Sequence, residues 1–272
     1  MTDVNIPNSV TTIERFAFNG CFALQSITLP DSITLIEDEA FQGCRSLTNI
    51  DIPQGITEIK FNTFYGCISL KNIDIPNNIT SIGEGAFRDC SSLESITISE
   101  SVSSIGENAF YGCKSLTSIT IPESVTLIGE GAFVNCPSLK AFYGKYSSSD
   151  NLYLNIDGEL KQFACAADVT DYTIPEDVTS IGYAAFWGCS SLKSINLPNS
   201  IISISNSAFT ECKNLTTMYC KPTTPPELGS GVFHPYDDIS NRVIYVPIKS
   251  LADYKAAGGW KEYVEYIRGY SF

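Results

Sequence analysis

Leu70-x-x-Ile73-x-Ile75-Pro76, then Ile79-x-x-Ile82-Gly83, then Ala86-Phe87-x-x-Cys90: the reading of this stretch decides the fold. Leu93, Ile96, Ile98, Val102, Ile105, Ala109, Phe110 and Cys113 repeat it at an offset of 23 residues. Working outward, cysteines keep that period at 21, 44, 67, 90, 113 and 136, and again at 189 and 212. Prolines keep it at 7, 30, 53, 76 and 122, then at 175 and 198, with Ser99 in the one gap. Each unit has apolar residues at alternate positions, the pattern of a strand with one buried face. Proline follows the last inward residue, where a lost backbone donor costs little. One such unit cannot bury its own apolar face, but a stack of them can.

A period of 23 lies within the range of leucine-rich repeats. The fold expected is therefore a leucine-rich-repeat solenoid with a parallel sheet on one face and short turns, 3-10 or helical segments on the other. Strand segments start near residues 1, 24, 47, 70, 93, 116, 139, 169, 192 and 215, and Phe18, Phe41, Phe64, Phe87, Phe110, Phe133, Phe186 and Phe209 form a buried spine. The period breaks once, between Cys136 and Cys189. There Leu152-Tyr153-Leu154 and Leu160 to Phe163 flank Asp157-Gly158, a strong hairpin signal, and Tyr146 to Asp150 before it reads as a mobile loop. After residue 220 the repeat gives way to prolines, a strand at Val243–Val246 and a helix from Leu251 with Ser250 as its N-cap. That segment is expected to pack Leu251, Tyr254 and Trp260 over the end of the stack as a terminal cap. Four regions follow: 1–145, first repeat block; 146–168, hairpin-containing splice unit; 169–221, second block; 222–272, an α/β cap. Met1 falls at the position of Leu24 and Leu47, so the first strand is an unpaired edge, and upstream residues or another chain are expected to cover it.

Composition narrows the function. The chain has 272 residues, 43% hydrophobic, and a net charge of -13. That is enough apolar content for a large core, and the charge disfavours nucleic acid and anionic membrane surfaces. No run of 18 apolar residues exists to span a membrane. Met1 to Pro7 lacks the basic and apolar regions of a signal peptide, so either the protein is made without one or a leader and upstream residues were removed.

The sequence resembles the BspA-like leucine-rich-repeat proteins of bacterial surfaces. The residues carrying the resemblance include Ile119, Ile121-Pro122, Val125, Ile128-Gly129 and Ala132-Phe133. The end segment Thr224-Pro225-Pro226-Glu227-Leu228, Ile244 to Pro247 and Tyr254 to Trp260 also looks like the family's. The resemblance implies a cell-surface or secreted adhesin whose protein ligands are host extracellular-matrix, plasma or bacterial proteins. It carries over no particular binding residue. An intracellular scaffold is the alternative, since no leader is visible and the thiols read as reduced.

Several residue types could carry chemistry. The eight on-period cysteines read as reduced, buried thiols, because identical rungs send their side chains out in parallel. Cys165 and Cys220 lie off the column and are the likelier places for special thiol chemistry. Metal binding lacks a C-x-x-C pair and has only one histidine to draw on. His234 reads as structural. No nucleophile elbow, phosphate loop, dinucleotide fingerprint or cofactor motif is present, so no enzyme and no cofactor are expected. Asp38, Glu84, Glu107 and Glu130 would start short helical turns, where the dipole favours an acid.

Two faces remain for a protein ligand. The outward sheet positions, including Asp51, Asp74, Thr97 and Thr120, form a small polar surface that could equally reflect strand preference alone. The column after the spine phenylalanine carries Tyr65, Arg88, Tyr111 and Trp187, residue types common at interface hot spots, with Arg88 placed for cation–π contact. The habit of leucine-rich repeats favours the sheet, and hot-spot chemistry favours the arm. The sheet is the preferred expectation.

Overall fold

The computed structural model of the protein describes residues 2–233 and 240–272; His234 lies outside the described residues. The chain divides into two compact units, one ending at Ser147 and the other beginning at Ser148, and each is a stack of parallel rungs.

In the first unit, short strands pair in parallel with the 23-residue register: Asp3–Asn5 with Ser26–Thr28, Asn72–Asp74 with Ser95–Thr97, and Ser118–Ile121 with Ala141–Gly144. Their inward residues, such as Ile27, Ile73, Ile96 and Ile119, are buried. The expected strand near Asn49–Asp51 lacks strand pairing, so the strands on this side fall into three two-stranded sheets, although the Thr48 amide still donates to Gln25 and the Lys71 amide to Thr48. A second ladder was not anticipated. Two-residue strands on the return arm, such as Glu58–Ile59, Ser81–Ile82, Ser104–Ile105 and Leu127–Ile128, join in parallel from rung to rung. The apolar residues of the arm, such as Ile59, Ile82 and Ile105, are thus buried from a second sheet.

The arm beyond them is built of turns, not helix, and its hydrogen bonds say why. Asn62, Phe64 and Gly66 donate their backbone N–H to Glu84, Ala86 and Arg88 of the next rung. The amides in between turn back within the rung, as Arg88 does to Gly85 and Cys90 to Phe87. A helix needs every amide to point back along its own chain; here half point to the neighbour. Two left-handed residues per rung, such as Asn62 (φ 50°) and Gly66 (φ 70°), produce this alternation. The helix-dipole account of Asp38, Glu84, Glu107 and Glu130 therefore fails, since no run of aligned peptides starts there.

The phenylalanine spine forms: Phe18, Phe41, Phe64, Phe87, Phe110 and Phe133 stack with centroids 5.3–5.6 Å apart, and all but Phe18, which is half-buried, are buried. Beside it, the thiols of Cys44, Cys67, Cys90, Cys113 and Cys136 each donate at 3.2 Å to the carbonyl of a spine phenylalanine one rung back. Burial pushes the Cys44 and Cys136 thiols up to about 12 and raises those of Cys67, Cys90 and Cys113 as well.

Two cysteine expectations are corrected. Cys189 is not a free thiol; it forms a disulfide with Cys165, Cα to Cα 4.4 Å. Cysteines in the column leave their rungs in parallel, but Cys165 stands two residues after Phe163 instead of three, which turns its Cβ out of that common direction. Cys21 is half-buried rather than buried, because it belongs to the first described rung, which is packed on one side only.

The second unit opens with the expected hairpin, Tyr153–Ile156 against Glu159–Phe163. Its turn residues Asp157 and Gly158 both have positive φ, 52° and 84°, as a two-residue hairpin matching strand twist requires. Glu159-Leu160 then pairs in parallel with Ser180-Ile181, so the hairpin's second strand is also an arm strand. Phe163 and Phe233 extend this unit's spine on either side of Phe186 and Phe209. The stretch read as a mobile loop is a bonded turn: the Ser148 hydroxyl accepts from the Leu152 and Tyr153 amides, and Tyr172 donates to Asp150 at 2.7 Å. Burial alone would raise the Asp150 carboxyl, but hydrogen bonds from Ser148 and Tyr172 pull it below its ordinary value.

The cap matches its expected outline, with a strand at Val243–Pro247 and a helix at Leu251–Ala256. Ser250 makes no side-chain capping bond, because the helix continues from the 3-10 turn Ile248–Ser250. Tyr254 and Trp260 are fully buried and Leu251 partly so. Their polar tips use the proline-rich segment: Tyr254 Oη donates to the Pro222 carbonyl at 2.7 Å, and Trp260 Nε1 to that of Pro226 at 2.8 Å.

Candidate binding face

The sheet candidates Asp51, Asp74, Thr97 and Thr120 are all exposed, one per rung. Asp74 and Thr97 are register partners, but Thr120 belongs to another sheet, and Asp51 is exposed outside any strand. Neighbouring polar side chains here satisfy one another, Ser26 with Asp3 and Ser95 with Asn72.

The arm candidates do come together. The guanidinium of Arg88 lies 5.7 Å from the Tyr65 ring centroid and 4.9 Å from that of Tyr111. The cation is held between two tyrosines one rung away on either side, an arrangement worth about 0.5–1 kcal/mol per contact at an exposed site. Arg88 Nε is buried without a hydrogen-bond partner among the described residues, and its contact with Asp89 is long, at 3.9 Å. Toward the N-terminus the same column continues as polar residues, with Asn19 Nδ2 donating to Gln42 Oε1 at 2.7 Å. In the other direction Val134 is buried, so the ladder ends at Tyr111. Trp187 belongs to the second unit, where it is half-buried on that unit's arm.

Beside this ladder runs a groove of about 370 Å³ that sequence reading missed. One wall is Asn19, Gln42 and Tyr65; the other is Phe22, Arg45 and Ile68, the column just after the cysteines. Gly20, Gly43 and Gly66 form the floor, with φ near 70° and no side chain. Asp89 takes the glycine position in the fourth rung and lines that end, with its carboxylate lying over Gly112 of the rung beyond. Phe22 is 58% exposed and Ile68 42%, which leaves apolar surface along that wall. The signal was available: counting four past each spine phenylalanine gives Phe22, Arg45 and Ile68. In the second unit, half-buried Tyr219 and Tyr245 and exposed Tyr270 and Phe272 form a further aromatic cluster with centroids 5.0–6.3 Å apart.

Among the described residues no group of three or more His, Cys, Asp or Glu is placed to hold a metal ion, and no helix is long and apolar enough to cross a membrane.

Parallel rungs of constant length, a stacked phenylalanine spine and a cysteine column define the class: a leucine-rich-repeat solenoid protein. The chain belongs to the family described as the BspA type leucine rich repeat region, which matches in six copies over residues 1–102, 36–151 and 159–256. Among solved structures it is similar to a leucine rich cell surface protein from Faecalibacterium prausnitzii A2-165, with 28% identity and a TM-score of 0.75 over 92% of this chain and 74% of that one. A leucine-rich repeat protein from Bacteroides ovatus ATCC 8483 matches with 26% identity and a TM-score of 0.61, covering 91% of this chain and 75% of that one. The pneumococcal vaccine antigen PcpA shares the fold, at 20% identity and a TM-score of 0.71 over 91% of this chain and 72% of that one. No curated protein matches.

Proposed function

We propose that this protein is a non-enzymatic binding module of the bacterial cell surface or secreted space, and that it engages protein ligands through the arm of its first unit. The observation that carries the reading is Arg88 held between Tyr65 and Tyr111, beside a groove edged by exposed Phe22 and Ile68. Tyrosine and arginine dominate interface hot spots, and they act best where pre-positioned in a packed setting. The polar sheet side, with its small and mutually bonded side chains, offers less of this.

Two findings support a place outside the cytosol. The similar protein from F. prausnitzii is described as a cell surface protein. The Cys165–Cys189 disulfide suits an oxidising compartment, which counts against an intracellular scaffold. An adhesin role, with host matrix, plasma or bacterial proteins as ligands, follows from the family resemblance.

The test is a binding panel of extracellular-matrix and plasma proteins measured against two variant sets: Tyr65, Arg88 and Tyr111 to Ala, and Asp51, Asp74 and Thr97 to Lys. The arm set is expected to weaken any interaction at least tenfold, about 1.4 kcal/mol, with the sheet set near wild type. A loss confined to the sheet set would move the interface to that face.

A further inference from the structure

We propose that the glycine floor between Tyr65 and Ile68 is an anchor site for an aromatic side chain of a protein partner, carried next to a cationic residue. The inference rests on the arm-face reading and names the chemistry that face selects.

The protein itself demonstrates what the floor accepts. The ring of Phe22 lies over Gly20 and Gly43, with ring atoms 3.7 Å from the points where Cβ atoms would stand. The Arg45 guanidinium sits 5.0 Å from that ring's centroid, so a ring on glycine beneath an arginine is already built one step away. Over Gly66 the floor is open. Apart from its chain neighbours, only backbone atoms of Gly43, at 3.8–3.9 Å, approach the point where its Cβ would be. Tyr65 and Ile68 flank that opening, and the groove's 370 Å³ is at the small end of ligand-sized clefts, roughly 300–1,000 Å³.

The floor's chemistry selects an apolar ring over a sugar. The Gly43 and Gly66 amides already donate to the carbonyls of Tyr65 and Arg88, so the floor itself offers no amide donor to a hydroxylated ring. The face of a flat aromatic ring needs none, and the ring meets Arg45 and Tyr65 as a partner for cation–π and edge contacts. Charge favours a cationic neighbour at the Asp89 end, away from Arg45. Asp89 lines that end with its side chain 39% exposed, and among the described residues its one ion-pair contact is the 3.9 Å approach to Arg88. The whole chain carries -13, which favours a basic partner segment.

The experiment titrates the full chain with N-acetyl-Lys-Trp-amide, N-acetyl-Lys-Ala-amide and methyl glucoside, read by NMR shift changes. The blocking variant is Gly66→Asn. Asp89 and Asn135 occupy the same column at φ 56° and 58°, so the fold already accepts such a residue there. The tryptophan dipeptide is expected to bind with a dissociation constant on the order of 1 mM, and the alanine dipeptide and the Gly66→Asn variant each to bind at least about tenfold more weakly. No saturable tryptophan binding, equal binding by Gly66→Asn, or binding of the glucoside alone would each overturn the anchor site. If the anchor fails while the Tyr65, Arg88 and Tyr111 variant still loses its protein partner, the arm reading stands without it. If the anchor holds and that variant keeps its partner, the arm reading is the one that falls.

Discussion

Cys165 stands one residue short of the cysteine column, and that offset joins it to Cys189 while the other column thiols stay apart. Had it occupied position 166, its side chain would have run parallel to that of Cys189, each free to donate to a carbonyl one rung back, as Cys212 does to Phe186. The bond closes a loop of rung length. In a chain-entropy account this is worth about 3.5 kcal/mol.

Thiol titration in denaturant without reductant should therefore find eight thiols, and peptide mapping should recover one Cys165–Cys189 pair. Of the eight, Cys21 should be alkylated first in the native protein, being the one free cysteine that is not buried. Ten titratable thiols, or a pair linking two column positions, would overturn the assignment.

The buried thiols make the protein base-labile. Cys44, Cys136 and Cys220 have thiols raised to about 12 from 9.0, chiefly by burial. The unfolded chain loses these protons first as pH rises. The stability they contribute is thus fully present below pH 9 and is lost progressively toward pH 12. Each such thiol adds a slope of up to about 1.4 kcal/mol per pH unit in that window. Urea midpoints should fall steeply between pH 9 and pH 11, and Cys136→Ala should make the fall shallower. A midpoint unchanged up to pH 11 would mean that the column is not desolvated.

Ser99→Pro should stabilise the first unit by about 0.4–1 kcal/mol. Pro76 opens a turn in which its carbonyl accepts from Ile79 at 3.1 Å, and Ser99 opens the same turn with Val102 at 3.1 Å. Ser99 is buried, and its hydroxyl has no hydrogen-bond partner among the described residues. Proline removes that hydroxyl and restricts the unfolded chain. A lowered urea midpoint would show that the Ser99 backbone differs from that of its proline counterparts.

Trp260→Ala should cost the second unit about 3–5 kcal/mol, the usual price of emptying a fully buried aromatic site. The indole is 1% exposed, packs edge-on to Tyr254 at 4.9 Å and donates to Pro226. Trp260→Phe, which keeps most of the packing and orphans the Pro226 carbonyl, should cost less. Thermal melts of both variants check this; a change below about 1 kcal/mol for alanine would mean that the cap is dispensable.

The repeat, its spine, the hairpin at Asp157-Gly158 and the cap were legible because each depends on local period or turn chemistry. A 23-residue spacing leaves one way to align Leu, Ile, Phe and Cys from rung to rung, and a left-handed Asp-Gly pair leaves one way to reverse a strand. The second ladder was less visible, because two-residue strands such as Ser81-Ile82 are too short to show alternation. The arm's turns were hidden for another reason: whether an amide bonds back along its rung or across to the next is settled only when the next rung is in place.

The same division holds at the candidate site. Sequence alone determined that Tyr65, Arg88 and Tyr111 occupy one column, since equal spacing on identical rungs puts them at rung separation. Only the tertiary structure decided that Phe22 lies on the glycines of its own rung and the next, that Asp89 lines one end of the groove, and that Cys165 reaches Cys189. Those relations depend on side-chain direction and on empty space between neighbouring columns, and a periodic string of residues carries neither until the rungs are stacked.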